Sequence, residues 1–411
     1  MFKNYDINHL VRTLKTSPDP VVLFGAGKYG KLALHSLSKL GVKVSYFCDD
    51  ENRNDLYLKT PVITPEELSK LGNNPHIFIC CSYAIEPIFF RMKEMNFENI
   101  YNCVNLFDNT DFSDSTFANM NFNETRRRVE LYKAECNSLQ RSNVKALDIK
   151  YIDIVVTEAC SMKCQSCSNL MQYYLKPKNV DLDLLFKSVD KIMEVTDNLY
   201  EFRLLGGEPF VNVQIGKIVN KLLKYKNAKN VVIYSNATII PKGENFECLK
   251  NNKVLIDITD YGEHSRKHKE YIKLFEANNI RYTTNVPVWT DSGTINYQKK
   301  SEEKLKHMFK NCCVNDIMTL LNGKLYRCPF SANIMNLNAI PIDKTDLVDL
   351  TNDDKKIETI KNEINNLYKN KNYLTACSYC NGRDYTVPKI KAAIQTKTPF
   401  KIPAAPSEAS N

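Results

Sequence analysis

Cys160, Cys164 and Cys167 are separated by three and then two residues, just downstream of an apolar run, Ile152 to Val156, that reads as a strand. A loop of that spacing can fold three thiolates around one iron-sulfur cluster and leave a fourth iron without a protein ligand, open to substrate. A structural zinc site would be closed by a fourth Cys or His close at hand, and none follows nearby. After the next predicted strand, Glu201 to Leu205, comes Gly206-Gly207-Glu208-Pro209. Glycines there let the backbone approach a ligand closely, and the Glu208 carboxylate can pair with a cation.

A second group of thiols, Cys312, Cys313, Cys328, Cys377 and Cys380, lies further along, with four residues between Gly323 and Cys328 in a hairpin expected around Leu321-Asn-Gly-Lys-Leu325. Four of these thiols would complete a closed cluster. A four-cysteine zinc site fits the same residues, because a hairpin cysteine followed by Cys-x-x-Cys also describes zinc ribbons.

Both groups need a frame. Strands near Ile152 to Val156, Glu201 to Leu205, Val231 to Ser235, Val254 to Ile258 and Arg281 to Thr284, mostly separated by helical segments, predict a parallel alpha/beta unit. Its strand ends Asp257 to Gly262 and Asn285 to Asp291, with the single tryptophan Trp289, would reach the same mouth as substrate groups or as ordinary loop residues. Upstream, Val21 to Phe24, then Gly25-Ala-Gly27-Lys-Tyr-Gly30, a helical pattern to Leu40, and Val42 to Phe47 ending at Asp49 and Asp50 form a strand-helix-strand unit with a dinucleotide-type glycine pattern. Pro61-Val-Ile, Thr64 as an N-cap before Pro65-Glu-Glu67, a strand from Ile77 to Cys81 and a helix from Glu86 to Met95 continue a doubly wound domain.

The expected fold class is therefore α/β, with a doubly wound domain over 1–107, a polar connector over 108–147 that includes Arg126-Arg-Arg128, and a parallel unit over 148–300. A cysteine-punctuated domain over 301–390 and a disordered tail over 391–411 complete it. The formal charge of +9 comes from 56 basic and 47 acidic residues without a like-charge block, so no nucleic-acid partner is expected. No apolar run is long enough to span a membrane and Met1 to Leu14 lacks the apolar core of a signal peptide, which predicts a cytoplasmic protein. Fourteen cysteines in that reducing compartment point to metal or redox chemistry rather than disulfides.

The Cys160-x-x-x-Cys164-x-x-Cys167 loop together with Gly206 to Pro209 resembles the radical SAM superfamily, with one departure: Ser166 stands where an aromatic residue usually precedes the third cysteine. The resemblance implies a partial (β/α)6 radical SAM barrel, a [4Fe-4S] cluster on Cys160, Cys164 and Cys167, and S-adenosylmethionine bound at the open iron. Gly206, Gly207, Glu208 and Pro209 would hold the methionine ammonium, and Ser235 and Asn236, in Tyr234-Ser-Asn-Ala-Thr238, would bond the ribose hydroxyls. The second cysteine group resembles the twitch domain, a truncated relative of the SPASM domain. That implies an auxiliary [4Fe-4S] cluster on Cys313, Cys328, Cys377 and Cys380, with Cys312 as an allowed substitute for Cys313. The N-terminal stretch looks like the small Rossmann-like domains of sugar acyltransferases and surface-polysaccharide enzymes, many of which need no NAD. Gly25, Gly27 and Gly30 would then face a nucleotide or nucleotide sugar, serve docking, or only shape the domain, and NAD is not expected.

The expected activity is reductive cleavage of SAM, with a flavodoxin- or ferredoxin-type electron donor, and hydrogen abstraction from a sugar or nucleotide sugar that is oxidised or epimerised. Ribosomal-peptide modification is the rival enzymatic reading, and a non-catalytic iron-sulfur or zinc protein the rival from another class. Epimerisation would need a thiol hydrogen donor, for which Cys248 or the spare member of Cys312 and Cys313 are the candidates; a buried structural role for Cys248 is the simpler reading.

Overall fold

The structure is a computed structural model that describes residues 2, 5–50, 56–72, 74–81, 85–108, 110, 122–140, 146–314, 316–383 and 387–402. The chain divides into two compact units, Met1–Val144 and Lys145–Asn411. Among the described residues no helix is long and apolar enough to cross a membrane.

The first unit is built on β1 (Val21–Phe24), β2 (Tyr46–Cys48), β3 (Leu56–Tyr57), β4 (Thr60–Ile63), β5 (His76–Ile79) and β6 (Ile100–Asn102), in the order β3-β4-β2-β1-β5-β6. All pairs are parallel except the short β3–β4 pair. β1 and β5 are buried along their whole length, which is why they read as continuous apolar runs. The helix Lys28–Lys39 returns the chain from β1 to β2 and buries Tyr29, Leu32, Ala33 and Leu37. The Thr64 capping box is present, with the Thr64 hydroxyl accepting from the Glu67 N–H and the Glu67 carboxylate from the Thr64 N–H.

The segment expected as a connector is in part core. Its helix Phe122–Gln140 places Val129, Tyr132 and Cys136 in the apolar cluster of the first unit, and the Tyr132 hydroxyl donates to the Ile79 carbonyl and accepts from the Cys103 N–H. Its polar composition hid the inward-facing Val129, Tyr132 and Cys136 among charged neighbours.

The second unit holds β7 (Asp148–Thr157), β8 (Asn198–Gly206), β9 (Ala228–Ser235), β10 (Val254–Thr259), β11 (Tyr282–Asn285), β12 (Trp289–Thr290), β13 (Ile317–Leu321), β14 (Lys324–Tyr326), β15 (Leu347–Asp349) and β16 (Lys389–Ile390). Eight of them form one sheet in the order β11-β10-β9-β8-β7-β13-β14-β15, and β12 pairs with β16 apart from it. β7 to β11 are parallel, and β13 joins β7 in parallel with Ile317 opposite Tyr151. Thus the sixth parallel strand comes from the cysteine-punctuated segment, not from the stretch before residue 300.

Alternation sorts the two faces of this sheet. Ile152, Ile154 and Val156, with Phe202, Leu204, Ile233, Ile256, Ile258, Met318 and Leu320, pack with the apolar sides of the helices Leu182–Val195, Ile215–Leu222, His268–Ala277 and Ile357–Asn365. Each fully buried Leu, Ile or Phe there contributes roughly 1.5–3 kcal/mol. The opposite face alternates in Tyr151, Asp153, Val155, Glu201, Arg203 and Leu205. Cys248 belongs to the helix-packed core, its thiol donating to the Asn245 carbonyl, so it reads as a structural thiol rather than a hydrogen donor. The expected hairpin is β13–β14, with Asn322 at φ 48° and Gly323 at φ 74° and Leu321 opposite Lys324.

Candidate metal centre

The three cysteines of the first group follow β7 directly, at the end of the sheet where the chain also leaves β8 and β9. Their loop is fitted against the end of β8 by glycines. A methyl on Gly206, which has φ 140°, would lie 2.2 Å from the Thr157 carbonyl oxygen, and one on Gly207 would lie 1.9 Å from that of Ala159. The backbones are that close because the Gly207 N–H donates to Thr157 O and the Glu208 N–H to Ala159 O.

Glu208 is 0% exposed. One carboxylate oxygen accepts from the Ser235 hydroxyl at 2.9 Å and the Phe210 N–H at 3.3 Å, the other from the Asn236 N–H at 2.7 Å. Burial pushes this carboxyl up to about 7 against the pull of those donors. The expected residues Glu208, Ser235 and Asn236 are thereby joined, with Pro209 starting the turn that follows. Asn236 Nδ2 reaches Ser161 Oγ at 3.2 Å and the Cys160 sulfur at 3.8 Å, which ties the segment after β9 to the first cysteine.

Each of the first two sulfurs faces N–H donors: Cys160 the Met162 N–H at 3.4 Å, and Cys164 the Gln395 side-chain amide at 3.2 Å. Such bonds are the usual surroundings of thiolates that ligate iron. Burial pushes Cys160 up to about 12 and Cys164 up to about 11, so their thiolates form when a cationic centre replaces the protons. Tyr261 and Trp289, edge to face at 5.8 Å, pack beside the loop. Asp260 and Asp291 serve their own loops, accepting from the Gly262 and Gly293 N–H groups, while Asp257 accepts from Asn285 Nδ2 at 2.7 Å.

The second thiol group lines a cavity of about 40 Å³ with Phe309, Phe330, Leu374 and Arg383. Cys312, Cys328, Cys377 and Cys380 face it; Cys313, the member expected from spacing, is exposed and absent from its lining. Neighbouring residues point different ways at a chain turn, so spacing alone does not choose between them. The sulfurs of Cys328, Cys377 and Cys380 accept from the N–H groups of Ser331, Leu374 and Gly382 at 3.3 to 3.4 Å. Lys300, unmarked in the sequence, spans the Cys377 and Cys380 carbonyls at 3.2 and 2.9 Å. Among the described residues no three His, Cys, Asp or Glu are gathered closely enough for a single metal ion. The fit to clusters is carried by the donors aimed at the sulfurs and by the apolar cavity.

Residues 391–402, expected as part of a disordered tail, run instead along the first cysteine loop. Cys164 and Gln395 form an antiparallel bridge, Ala393 is buried with Met162 and Cys164, and the Phe400 ring meets Tyr173 at 5.5 Å. The rest of that segment, 403–411, lies outside the described residues. In the first unit, Gly25 has φ 115°, a methyl on Gly30 would fall 2.1 Å from Gly25 O, and Gly27 faces open space. The Ala26 N–H of that turn donates to Asp49 Oδ2 at 2.6 Å.

Residues 152–281 match the family model described as a 4Fe-4S single cluster domain, and the first cysteine loop, Gly206 to Pro209, Ser235 and Asn236 all fall within the match. The GTP 3',8-cyclase of Clostridium acetobutylicum is 29% identical over 96 residues, which are 23% of this chain and 30% of that protein. The chain thus spans less than a third of the length of that relative. Similar solved structures include BtrN in complex with AdoMet and 2-DOIA, at 15% identity and TM-score 0.41, covering 61% of this chain and 97% of that one. Others are anSMEcpe with bound AdoMet, at 15% identity and TM-score 0.34 over 44% and 74% of the two chains, and SuiB of Streptococcus suis bound to S-adenosylmethionine, at 15% and 0.29 over 57% and 49%.

Proposed function

We propose that the protein is a radical SAM enzyme whose first cluster is held by Cys160, Cys164 and Cys167 and whose second is held by Cys312, Cys328, Cys377 and Cys380. The observation that carries the reading is the convergence of three strand ends: the cysteine loop after β7, Glu208 after β8, and Ser235 with Asn236 after β9 are joined by direct hydrogen bonds. When bound, the first cluster supplies the electron that splits SAM into methionine and a 5'-deoxyadenosyl radical, which takes hydrogen from an unactivated C–H bond.

The chain's own part is to bind and to exclude water. Three thiolates would leave one iron of a four-iron cluster without a protein ligand, and Gly206 and Gly207 let the end of β8 lie directly against the Thr157 and Ala159 backbone that leads into the cysteine loop. Glu208 holds the Ser235–Asn236 segment in place, and its carboxylate is the group that would pair with the methionine ammonium of a bound SAM. The parallel strands β7 to β11 and β13 make up the partial barrel of this reading, and four thiols would leave no open position on a second cluster.

The substrate we favour is a sugar or nucleotide sugar. Polar groups on the sheet face away from the helices support this: Asp153 and Arg203 lie 3.1 Å apart, and Asp257 and Asn285 form a carboxylate-amide pair of the kind that bonds hydroxyls. A peptide is the second reading, favoured by Val286 and Val288, which stand 77% and 72% exposed just past β11. The first unit is read as a Rossmann-like module without bound NAD. This is supported by Asp49, which sets a carboxylate against the turn where a pyrophosphate would lie.

Anaerobic reconstitution with iron and sulfide tests the proposal. About eight irons per chain, with 5'-deoxyadenosine formed from SAM after dithionite reduction, is the expected result. Zinc in place of iron, with no cleavage, would leave a binding protein.

A further inference from the structure

Residues 389–400 form a strap across the first cysteine loop. β16 pairs with β12 through Ile390 opposite Trp289, and the chain then runs antiparallel to the loop. The Gln165 N–H donates to Ile394 O at 2.9 Å, the Thr396 N–H to Lys163 O at 2.7 Å, and the Phe400 N–H to Gln172 O at 2.8 Å. At the centre of the strap is the Gln395 side chain. Its Oε1 accepts from the Lys163 N–H at 2.8 Å, while Nε2 donates to the Ala393 carbonyl at 2.7 Å and to the Cys164 sulfur at 3.2 Å. This network fixes the amide orientation, since the Lys163 N–H requires an acceptor and the Ala393 carbonyl a donor. The group facing Cys164 is therefore N–H.

We propose that Gln395 is a positioning residue of the first cluster, an inference that rests on the radical SAM reading above. Its amide holds the middle cysteine at its place in the loop and donates to the thiolate. A hydrogen bond to a ligating sulfur withdraws electron density from the cluster and makes reduction easier. The strap also covers the Cys164 side of the loop, with Ala393 buried against Met162 and Cys164. Water is thereby kept from that thiolate, and the cluster is held against loss.

The test uses the full chain, reconstituted anaerobically, with Gln395→Glu and Gln395→Leu. Gln395→Glu keeps the size and the acceptor for the Lys163 N–H but removes the donor to sulfur; Gln395→Leu removes both. The readouts are the midpoint potential and electron paramagnetic resonance spectrum of the first cluster and the rate of iron loss to a chelator. The signal of the second cluster serves as an internal control. The expected result is a more negative potential and an altered spectrum for the first cluster in both variants, several-fold faster iron loss in Gln395→Leu, and an unchanged second cluster. First-cluster potentials and spectra equal to wild type in a folded Gln395→Glu protein would overturn the inference while leaving the enzyme reading intact. A wild-type protein with no first-cluster signal would overturn both.

Discussion

Glu208 accepts a 2.7 Å hydrogen bond from the backbone N–H of Asn236, a residue 28 positions further along the chain. That bond clasps the end of β8 to the end of β9 with a carboxylate that water does not reach. Replacing Glu208 by Gln turns one acceptor into an N–H group that faces donors. We expect a loss of about 1–3 kcal/mol in stability and at least tenfold weaker SAM binding, read by thermal unfolding and calorimetry. Wild-type affinity in this variant would remove Glu208 from the binding site.

The same carboxyl sets a pH dependence. Its folded-state value, about 7, lies above its unfolded one. Its protonation therefore favours the folded state at low pH, and that contribution is lost as pH rises from the ordinary carboxylate range through about 7. Pairing with an ammonium works the other way, because it needs the ionised form. SAM affinity should rise roughly tenfold per pH unit below about 7 and level off above it. A flat profile between pH 6 and 8 would mean that Glu208 serves only the fold.

Cys164→Ala should halve the iron content, to about four per chain, abolish 5'-deoxyadenosine formation and leave the second cluster intact. Iron analysis with single-turnover product assays checks this. Retained SAM cleavage would be incompatible with the assigned ligands.

Cys312 and Cys313 are separable by substitution. Cys312 lines the second cavity and Cys313 is exposed. Cys312→Ser should lose the second cluster, whereas Cys313→Ser should keep it, as read from iron per chain (on the order of 4 irons lost or kept) and from the second cluster's electron paramagnetic resonance signal. The reverse pattern would restore the choice made from spacing.

Gly207→Ala would bring a methyl to 1.9 Å from the Ala159 carbonyl oxygen, where only backbone can give way. A loss of about 1–3 kcal/mol and failure to load the first cluster alone are expected. Chemical denaturation and the ratio of the two cluster signals measure both effects.

Much of the site was legible because it is local. Three thiols on one loop, the two glycines before Glu208, the Thr64 capping box and the Asn322-Gly323 turn each need only adjacent residues to declare themselves. What was hidden is made by pairing at a distance or by a single side chain. Nothing in the periodicity of Ile317 to Leu321 announces that it lies beside β7. Nor does Gln395, one amide in a polar segment, carry a signal of its bond to Cys164. The helix Phe122–Gln140 was legible as a helix but not as core, because its inward-facing Val129, Tyr132 and Cys136 stand among charged residues such as Arg126 to Arg128 and Glu130.

The place of β13 beside β7 also bears on how the chain is made. Lys150 and Asp316, which close an ion pair at 2.8 Å at the start of that strand pair, are 166 residues apart in sequence. A ribosome adding roughly 5–20 residues per second needs about ten to thirty seconds to cover that distance. Throughout that interval the nascent β7 lacks its β13 neighbour, and the thiols of Cys160, Cys164 and Cys167 stand without their finished surroundings.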